Sequence, residues 1–256
     1  MGNEAAGDAG VTHVRFRPTD SEGSMLLSRH PDIRVSRLAI GDEKAPLLVI
    51  DNLVSDPERL VRKAARSDFV GQRSMFPGIR ARAPFSYGHF LESTLNPFLL
   101  ECFGLEPGRF VFPMCHYSLV TLPPDKLAFL QRVPHIDSVS GNGLATVHYL
   151  FHGDWGGTAF YRHRWTGFEY VDERRKDEYF HRLERESQGA EAAGAGYIDS
   201  DTALFERIAK VDGMFNRIVV YRRNSLHSGR IDNARIPPAD PVAGRLSINT
   251  FIDVVP

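Results

Sequence analysis

Two residues apart in Pro134-His135-Ile136-Asp137, an imidazole and a carboxylate offer the beginnings of a metal site. Along an extended strand the side chains at i and i+2 leave by the same face, so His135 and Asp137 can converge on one ion with Ile136 packed behind them. A third donor stands far downstream, His227 in Asn224-Ser225-Leu226-His227-Ser228-Gly229, and Arg245 follows in Gly244-Arg245-Leu246-Ser247-Ile248-Asn249. Two neutral imidazoles and one carboxylate on one face of a metal leave its other positions open, a donor set that suits ferrous iron in oxygen chemistry. The competing reading of the same three residues is a buried His-Asp pair with no metal.

The chain has ten histidines, so the choice among them needs a reason. His148 and His152 stand at i and i+4, which converges on a helix, but the β-branched and aromatic residues around them read as strand. In a strand that spacing separates two side chains by about 13 Å, too far for one ion. His163, between Arg162 and Arg164, and His116, which points away from Tyr117, read as structural or surface histidines.

The order His-x-Asp, distant His, then Arg on the last strand resembles the Fe(II)/2-oxoglutarate-dependent oxygenases, and most of all their prolyl-4-hydroxylase-like branch. Tyr149-Leu150 followed by Gly156-Gly157-Thr158 and Phe160 resembles that branch's strands between the ligands, and Val49 to Asp56 resembles its entry strand and helix start. The likeness runs from about residue 46 to residue 255. It implies a double-stranded β-helix (jelly roll) that binds Fe(II) through His135, Asp137 and His227. It also implies 2-oxoglutarate as co-substrate, consumed with dioxygen to give succinate and carbon dioxide while a substrate C–H bond is hydroxylated. With Asp137 present, no halide position is evident, so hydroxylation is expected over halogenation. Arg245 and Ser247, as Arg-x-Ser, resemble the pair that takes the far carboxylate of the co-substrate; a guanidinium suits that task because its planar fork matches a carboxylate bidentately. Tyr117 and Tyr149 resemble tyrosines placed against the co-substrate. For Tyr117 the rival reading is a buried tyrosine that merely satisfies its hydroxyl, and for Arg245 a salt bridge to a core acid. The eighteen-residue step from His227 to Arg245 is longer than such proteins usually show, so residues 231–243 should bulge out as a loop.

These side chains need strands to carry them. Pro46 to Ile50 reads as a buried strand; Ser55 or Asp56 then caps a helix with Pro57 in its first turn and Leu60, Val61, Ala64 and Ala65 at helical spacing. Residues 69–87, rich in Gly, Pro and Arg, read as loop with short strands, and Arg80 and Arg82 within it could meet an acidic substrate or simply face water. A helix over 88–103 carries Phe90, Leu91, Leu95, Phe98 and Leu99 on one stripe. Phe110 to Leu122 is expected as a core strand, and Ala145 to Phe151 with Thr158 to Tyr161 as a hairpin. The charge run Asp172 to Ser187 predicts a solvated helix, residues 189–196 a flexible link, and Asp201 to Lys210 a further helix with Leu204, Phe205 and Ile208 inward. Together they make a helical insertion near 172–212, where a lid could sit. Met214 to Tyr221 and Arg245 to Val254 close the sheets, giving a mainly β jelly roll with flanking helices over 26–256. Residues 1–25 are expected as a flexible tail, with Val14 to Arg17 as a candidate edge strand.

Composition excludes several partners. A formal net charge of −1 argues against nucleic acid, no window reaches the ~20 apolar residues of a membrane span, and the first residues lack the charge and apolar run of a secretory signal. Cys102 and Cys115 read as buried thiols of a reducing, cytoplasmic compartment. The substrate class stays open among small metabolite, amino acid and peptide, with Arg80, Arg82, Arg162, Arg164, Trp155 and Trp165 as candidates for the cavity mouth. Two alternatives remain: a jelly roll that binds metal but serves as a scaffold, and a cupin-like enzyme that uses the triad without 2-oxoglutarate.

Overall fold

Successive apolar residues along each central strand sort into two separate cores, and that period-two sorting organises the molecule. The structure, a computed structural model, describes residues 26–71, 75–189, 194 and 196–255. In chain order these form β1 (Arg34–Ile40), β2 (Ala45–Asp51), α1 (Pro57–Ala64), β3 (Val70–Gly71), β4 (Gly78–Arg82), α2 (Phe85–Phe103) and β5 (Arg109–Val120). There follow α3 (Phe129–Arg132), β6 (Leu144–Tyr149), β7 (Gly157–His163), α4 (Lys176–Ser187), β8 (Phe205–Asp212), β9 (Arg217–Arg222), β10 (His227–Arg230) and β11 (Leu246–Val255). The strands make an antiparallel eight-stranded sheet in the order β1-β2-β9-β6-β11-β5-β4-β3 and a three-stranded sheet in the order β10-β7-β8. This is the jelly roll expected from the sequence.

On the outer face of the large sheet, Leu48, Ile50, Ile218, Val220, Leu246 and Ile248 pack against Leu60 and Ala64 of α1 and Tyr87, Leu91 and Leu95 of α2. On the inner face, Leu47, Val49, Ala145, Val147, Val219 and Tyr221 meet Phe160 and Val211 of the small sheet. Each fully buried Leu, Ile or Phe contributes about 1.5–3 kcal/mol, and a one-residue slip would exchange the two faces, so the register is strongly specified. The helix starts follow local chemistry: the Asp56 carboxylate accepts from the Arg59 N–H at 3.1 Å, and α2 stops at Gly104, whose φ of 61° is left-handed. Asn216, itself at φ 63°, clamps the turn before α1: its amide donates to the Val54 carbonyl at 2.8 Å and its carbonyl accepts from the Val54 N–H at 3.0 Å.

Three expectations give way. Residues 205–212 are strand β8, not the end of a helix, because β7 offers them a full antiparallel ladder and a short run of helical spacing yields to tertiary pairing. The helical insertion therefore reduces to α4. The expected hairpin of Ala145 to Phe151 with Thr158 to Tyr161 is instead a crossing between sheets, since β6 lies in the large one and β7 in the small one. Gly156 and Gly157 make that crossing: a Cβ on either would fall 2.0 Å from the Arg230 or Val211 carbonyl oxygen. The sequence gives little sign of β1, an edge strand whose residues are mostly exposed. The tail 1–25 with its candidate strand at Val14 to Arg17, and most of the link 189–196, lie outside the described residues.

Candidate metal centre

His135 and His227 form an isolated antiparallel bridge, with the His135 N–H donating to the His227 carbonyl at 2.9 Å and the reverse bond at 3.0 Å. His227 is the first residue of β10 and is paired on its other side with Phe160 of β7, so the bridge extends the small sheet by one residue. The two imidazoles thus stand side by side, ring centroids 4.4 Å apart and planes tilted by 50°. Asp137, its own N–H bound to the Arg223 carbonyl at 2.8 Å, brings one carboxylate oxygen 3.7 Å from His135 Nε2 and the other 3.5 Å from His227 Nε2. One donor atom from each of the three residues lies within 4.8 Å of the others.

The second nitrogen of His227 settles its tautomer. Nδ1 is 3.0 Å from the Ser225 carbonyl, an acceptor only, so Nδ1 carries the proton and Nε2 turns its lone pair toward Asp137. Desolvation lowers the His135 pKa, helped by the neighbouring His227 and by Arg80 and opposed by Asp137, which favours the uncharged ring that a metal requires. About half of the His135 side chain, 48%, opens into the space in front of it. The donor set fits a divalent ion with positions left open: two neutral imidazoles and one carboxylate gathered on one side.

That space is a cavity of about 440 Å³ between the two sheets, floored by Val147, Asn249 and Phe251 of the large sheet and walled by Thr158 of β7, Ser228 of β10 and Tyr179 of α4. Arg245 also lines it and is 4% exposed. Its Nε donates to the Trp155 carbonyl at 2.9 Å and its Nη2 to the Gly157 carbonyl at 2.8 Å, and the guanidinium lies 5.8 and 5.7 Å from the Tyr149 and Phe151 ring centres. Among the described residues no carboxylate pairs with it, so the core salt bridge weighed from the sequence is not there. Burial lowers its pKa, yet a guanidinium stays charged, and an uncompensated charge in the interior carries a penalty of several kcal/mol. A bound anion would remove that penalty.

The other expected residues divide. Tyr149 shares the inner face and its hydroxyl meets Thr158 Oγ1 at 2.7 Å. Ser247 stands on the same face of β11 as Arg245 and Asn249, with its hydroxyl donating to Asn249 Oδ1 at 2.8 Å. Tyr117 does not belong. On β5, Met114 faces the cavity, and the odd-numbered Tyr117 leaves by the opposite face, where its hydroxyl donates to the Leu60 carbonyl of α1 at 3.0 Å. Of the six residues considered for the mouth, Arg80 lines the cavity and the others do not: Arg162 is held by Glu169, Asp42 and Glu206, Arg164 by Asp201, Trp155 stacks with Arg235, and Trp165 is exposed with Arg182 over its ring. Arg82 is exposed. Sequence reasoning passed over Tyr221, whose ring packs 4.6 Å from His227, and Asn249. Strand parity was the signal for both, once Val219 and Ser247 are placed on the inner face. Three further histidines are held by neighbours away from the cluster: His163 is buried against Glu186, His148 against Tyr87 and Asn216, and His152 stacks on Phe215.

A family model described as "Family of unknown function (DUF6445)" matches residues 31–252. No curated protein matches the chain. Among solved structures, HygX from Streptomyces hygroscopicus with nickel and 2-oxoglutarate bound superposes with a TM-score of 0.50 and 12% identity, covering 83% of this chain and 84% of that one. HygX with nickel, 2-oxoglutarate and hygromycin B bound gives 0.46 and 10%, over 83% and 84% of the two chains. The non-heme alpha ketoglutarate dependent epimerase SnoN from nogalamycin biosynthesis gives 0.44 and 11%, over 82% and 78%. At 12% identity the likeness to HygX is one of fold.

Proposed function

From its own cavity we propose that this chain, which belongs to the DUF6445 family of unknown function, is an Fe(II)- and 2-oxoglutarate-dependent dioxygenase that hydroxylates a small-molecule, amino-acid or peptide substrate. The observation that carries the reading is Arg245: a buried guanidinium with no acid partner, lining the same cavity as the His135, Asp137 and His227 cluster. Its Nη2 lies 4.0 Å from where a Cβ on Gly229 would stand. Gly229 is two residues beyond His227 on β10, about 7 Å along the strand, a separation that a five-carbon diacid spans.

In this reading His135 and His227 each present a neutral Nε2, and Asp137 supplies the charge that balances a divalent cation. A ferrous ion held by them supplies the redox chemistry that couples decarboxylation of 2-oxoglutarate to oxidation of a substrate C–H bond. Ser225 keeps the His227 ring in the tautomer that leaves Nε2 free. Arg245 receives the far carboxylate of the co-substrate, with the Tyr149 and Phe151 rings beside it excluding water from the pair. Thr158, oriented by the Tyr149 hydroxyl, is placed to share that carboxylate.

The likeness of fold to HygX and the order of motifs along the chain support the same class; the prolyl-4-hydroxylase-like branch rests on the sequence motifs only, the His-x-Asp, His and Arg order with Tyr149-Leu150, Gly156-Gly157-Thr158, Phe160 and Val49 to Asp56. Cys102 and Cys115 are unpaired, in keeping with a reducing, cytoplasmic setting, and no described helix is long and apolar enough to cross a membrane. The decisive assay is succinate formation from 2-oxoglutarate with Fe(II) and dioxygen. It is expected in the wild type and absent in His135→Ala and Asp137→Ala. Equal turnover in these variants would overturn the assignment, and a wild-type chain that binds Mn(II) but shows no affinity for 2-oxoglutarate would favour a metal enzyme that uses no 2-oxo acid.

A further inference from the structure

We infer that the oxidised substrate is an amphipathic monocarboxylate, its carboxylate held by Arg80 and its apolar body lying against Met75, Leu130 and Phe180 at the cavity mouth. The inference rests on the oxygenase reading of the cavity and names the kind of molecule that enters it.

Among the described residues, Arg80 is the second cationic side chain that lines the cavity without an acid partner. It stands on β4, and its guanidinium carbon lies 4.2 Å from the centre of the Phe76 ring. Its Nη1 contacts the Met114 thioether at 3.4 Å, a weak acceptor, and its Nε is buried with no partner. Three other half-buried arginines are matched by acids, Arg162 by Glu169, Arg217 by Asp51, and Arg230 by Asp199 and Asp212. By contrast, Arg222 donates to the Gly141 and Phe103 carbonyls, and Arg132, which does not line the cavity, has a buried Nε without a partner. A stacked, pre-aimed guanidinium with donors unspent is suited to bidentate capture of a carboxylate.

The position differs from that of Arg245. Arg80 pairs with Ser118 of β5, and Ser118 pairs with Ser247 of β11, so Arg80 stands two strands away from β11, about 10 Å across the sheet. One diacid at Arg245 leaves Arg80 free for a second anion. Desolvation acts against the charge of Arg80 and Asp137 acts for it, so the guanidinium sees the metal-site carboxylate without being bonded to it.

Around the opening the surface is apolar. Met75, Leu130 and Phe180, from the segment before β4, from α3 and from α4, are 53%, 48% and 48% exposed and all line the same cavity. Large exposed side chains gathered from three separate segments round one opening mark a surface that expects an apolar partner. A cation beside an apolar rim selects a molecule with an acid at one end and a hydrocarbon or aromatic body at the other.

Binding to the full chain, with and without Mn(II), is measured by calorimetry for hexanoate, octanoate, decanoate and 3-phenylpropanoate, each against its primary amide. The acids are expected to bind at least about tenfold more tightly than the amides, with affinity rising about threefold per methylene. Arg80→Gln should bring the acids down to the level of the amides, and Phe180→Ser should flatten the dependence on chain length. Acids that bind no better than amides, or Arg80→Gln that leaves their affinity unchanged, overturn the inference. Titration of 2-oxoglutarate into the same samples reports the oxygenase reading separately: Arg245→Gln should abolish that binding and Arg80→Gln should not. If Arg80→Gln instead weakens 2-oxoglutarate as Arg245→Gln does, Arg80 serves the co-substrate and the inference fails while the oxygenase reading stands.

Discussion

The main chains of His135 and His227 exchange both of their hydrogen bonds, so the two imidazoles beside Asp137 are set opposite each other by backbone pairing and not by contacts of their own. A side-chain change at either position leaves the bridge in place.

Replacing either ring should therefore remove a metal donor without unfolding the site. His135→Ala and His227→Ala are each expected to weaken Mn(II) binding by ~100-fold or more, beyond what loss of a supporting hydrogen bond usually costs. The far-ultraviolet circular dichroism should stay that of the wild type. Undiminished Mn(II) affinity in both variants would remove the metal centre from consideration.

Arg245 offers the converse experiment, because its charge is buried and unpaired. Arg245→Met deletes that charge, a gain, and strands the Trp155 and Gly157 carbonyls, a loss of about 1 kcal/mol or more each. The two effects oppose, so urea unfolding should place the variant within about 2 kcal/mol of the wild type. Its affinity for 2-oxoglutarate should drop by at least ~100-fold, since a fully desolvated carboxylate loses its partner. Instability without a change in 2-oxoglutarate affinity would make Arg245 a structural residue.

Tyr117→Phe should be silent toward the co-substrate. The hydroxyl serves the Leu60 carbonyl in the outer core, and its loss is expected to lower stability by about 1 kcal/mol while 2-oxoglutarate affinity stays within twofold. A tenfold loss of that affinity would return Tyr117 to the site.

Tyr117 also shows why some of this molecule can be read from its sequence and some cannot. Local chemistry is legible: Asp56, Pro57, Leu60 and Ala64 announce α1, and His135 and Asp137 share a face because strands alternate. Which face of β5 is the inner one depends on which sheet lies opposite, and nothing near Tyr117 states that. Parity alone would have paired Tyr117 with Leu119 and set it apart from Met114, but choosing between the two sets needs the three-dimensional packing. The helix expected over Asp201 to Lys210 failed for a related reason. Leu204, Phe205 and Ile208 satisfy helical spacing in isolation, and the ladder with β7, which pairs residues from His163 with Phe205 to Gly157 with Asp212, is invisible to a local window. Arg80 was visible as a residue type, but its lack of an acid partner is a property of the fold.

Acid should weaken the fold through His148, a residue remote from the metal cluster. The side chain is fully buried: Nδ1 accepts from the Tyr87 hydroxyl at 3.0 Å, and Nε2 donates to Asn216 Oδ1 at 3.2 Å, so the neutral ring satisfies both neighbours and a second proton would displace the Tyr87 donor. Burial, partly offset by the bond to Asn216, lowers the His148 pKa to about 4. The unfolded chain, with a pKa of about 6.5, binds this proton more readily than the folded one, so stability rises with pH across the interval. The contribution is fully present above about pH 6.5 and is lost as pH falls from there toward about 4. Between pH 7 and pH 5 it amounts to about 2 kcal/mol. His148→Gln keeps an acceptor for Tyr87 and a donor for Asn216 and cannot titrate, so its urea-unfolding free energy should decline less over that range by about the same amount. Parallel declines in the two proteins would show that His148 is not held neutral by the fold.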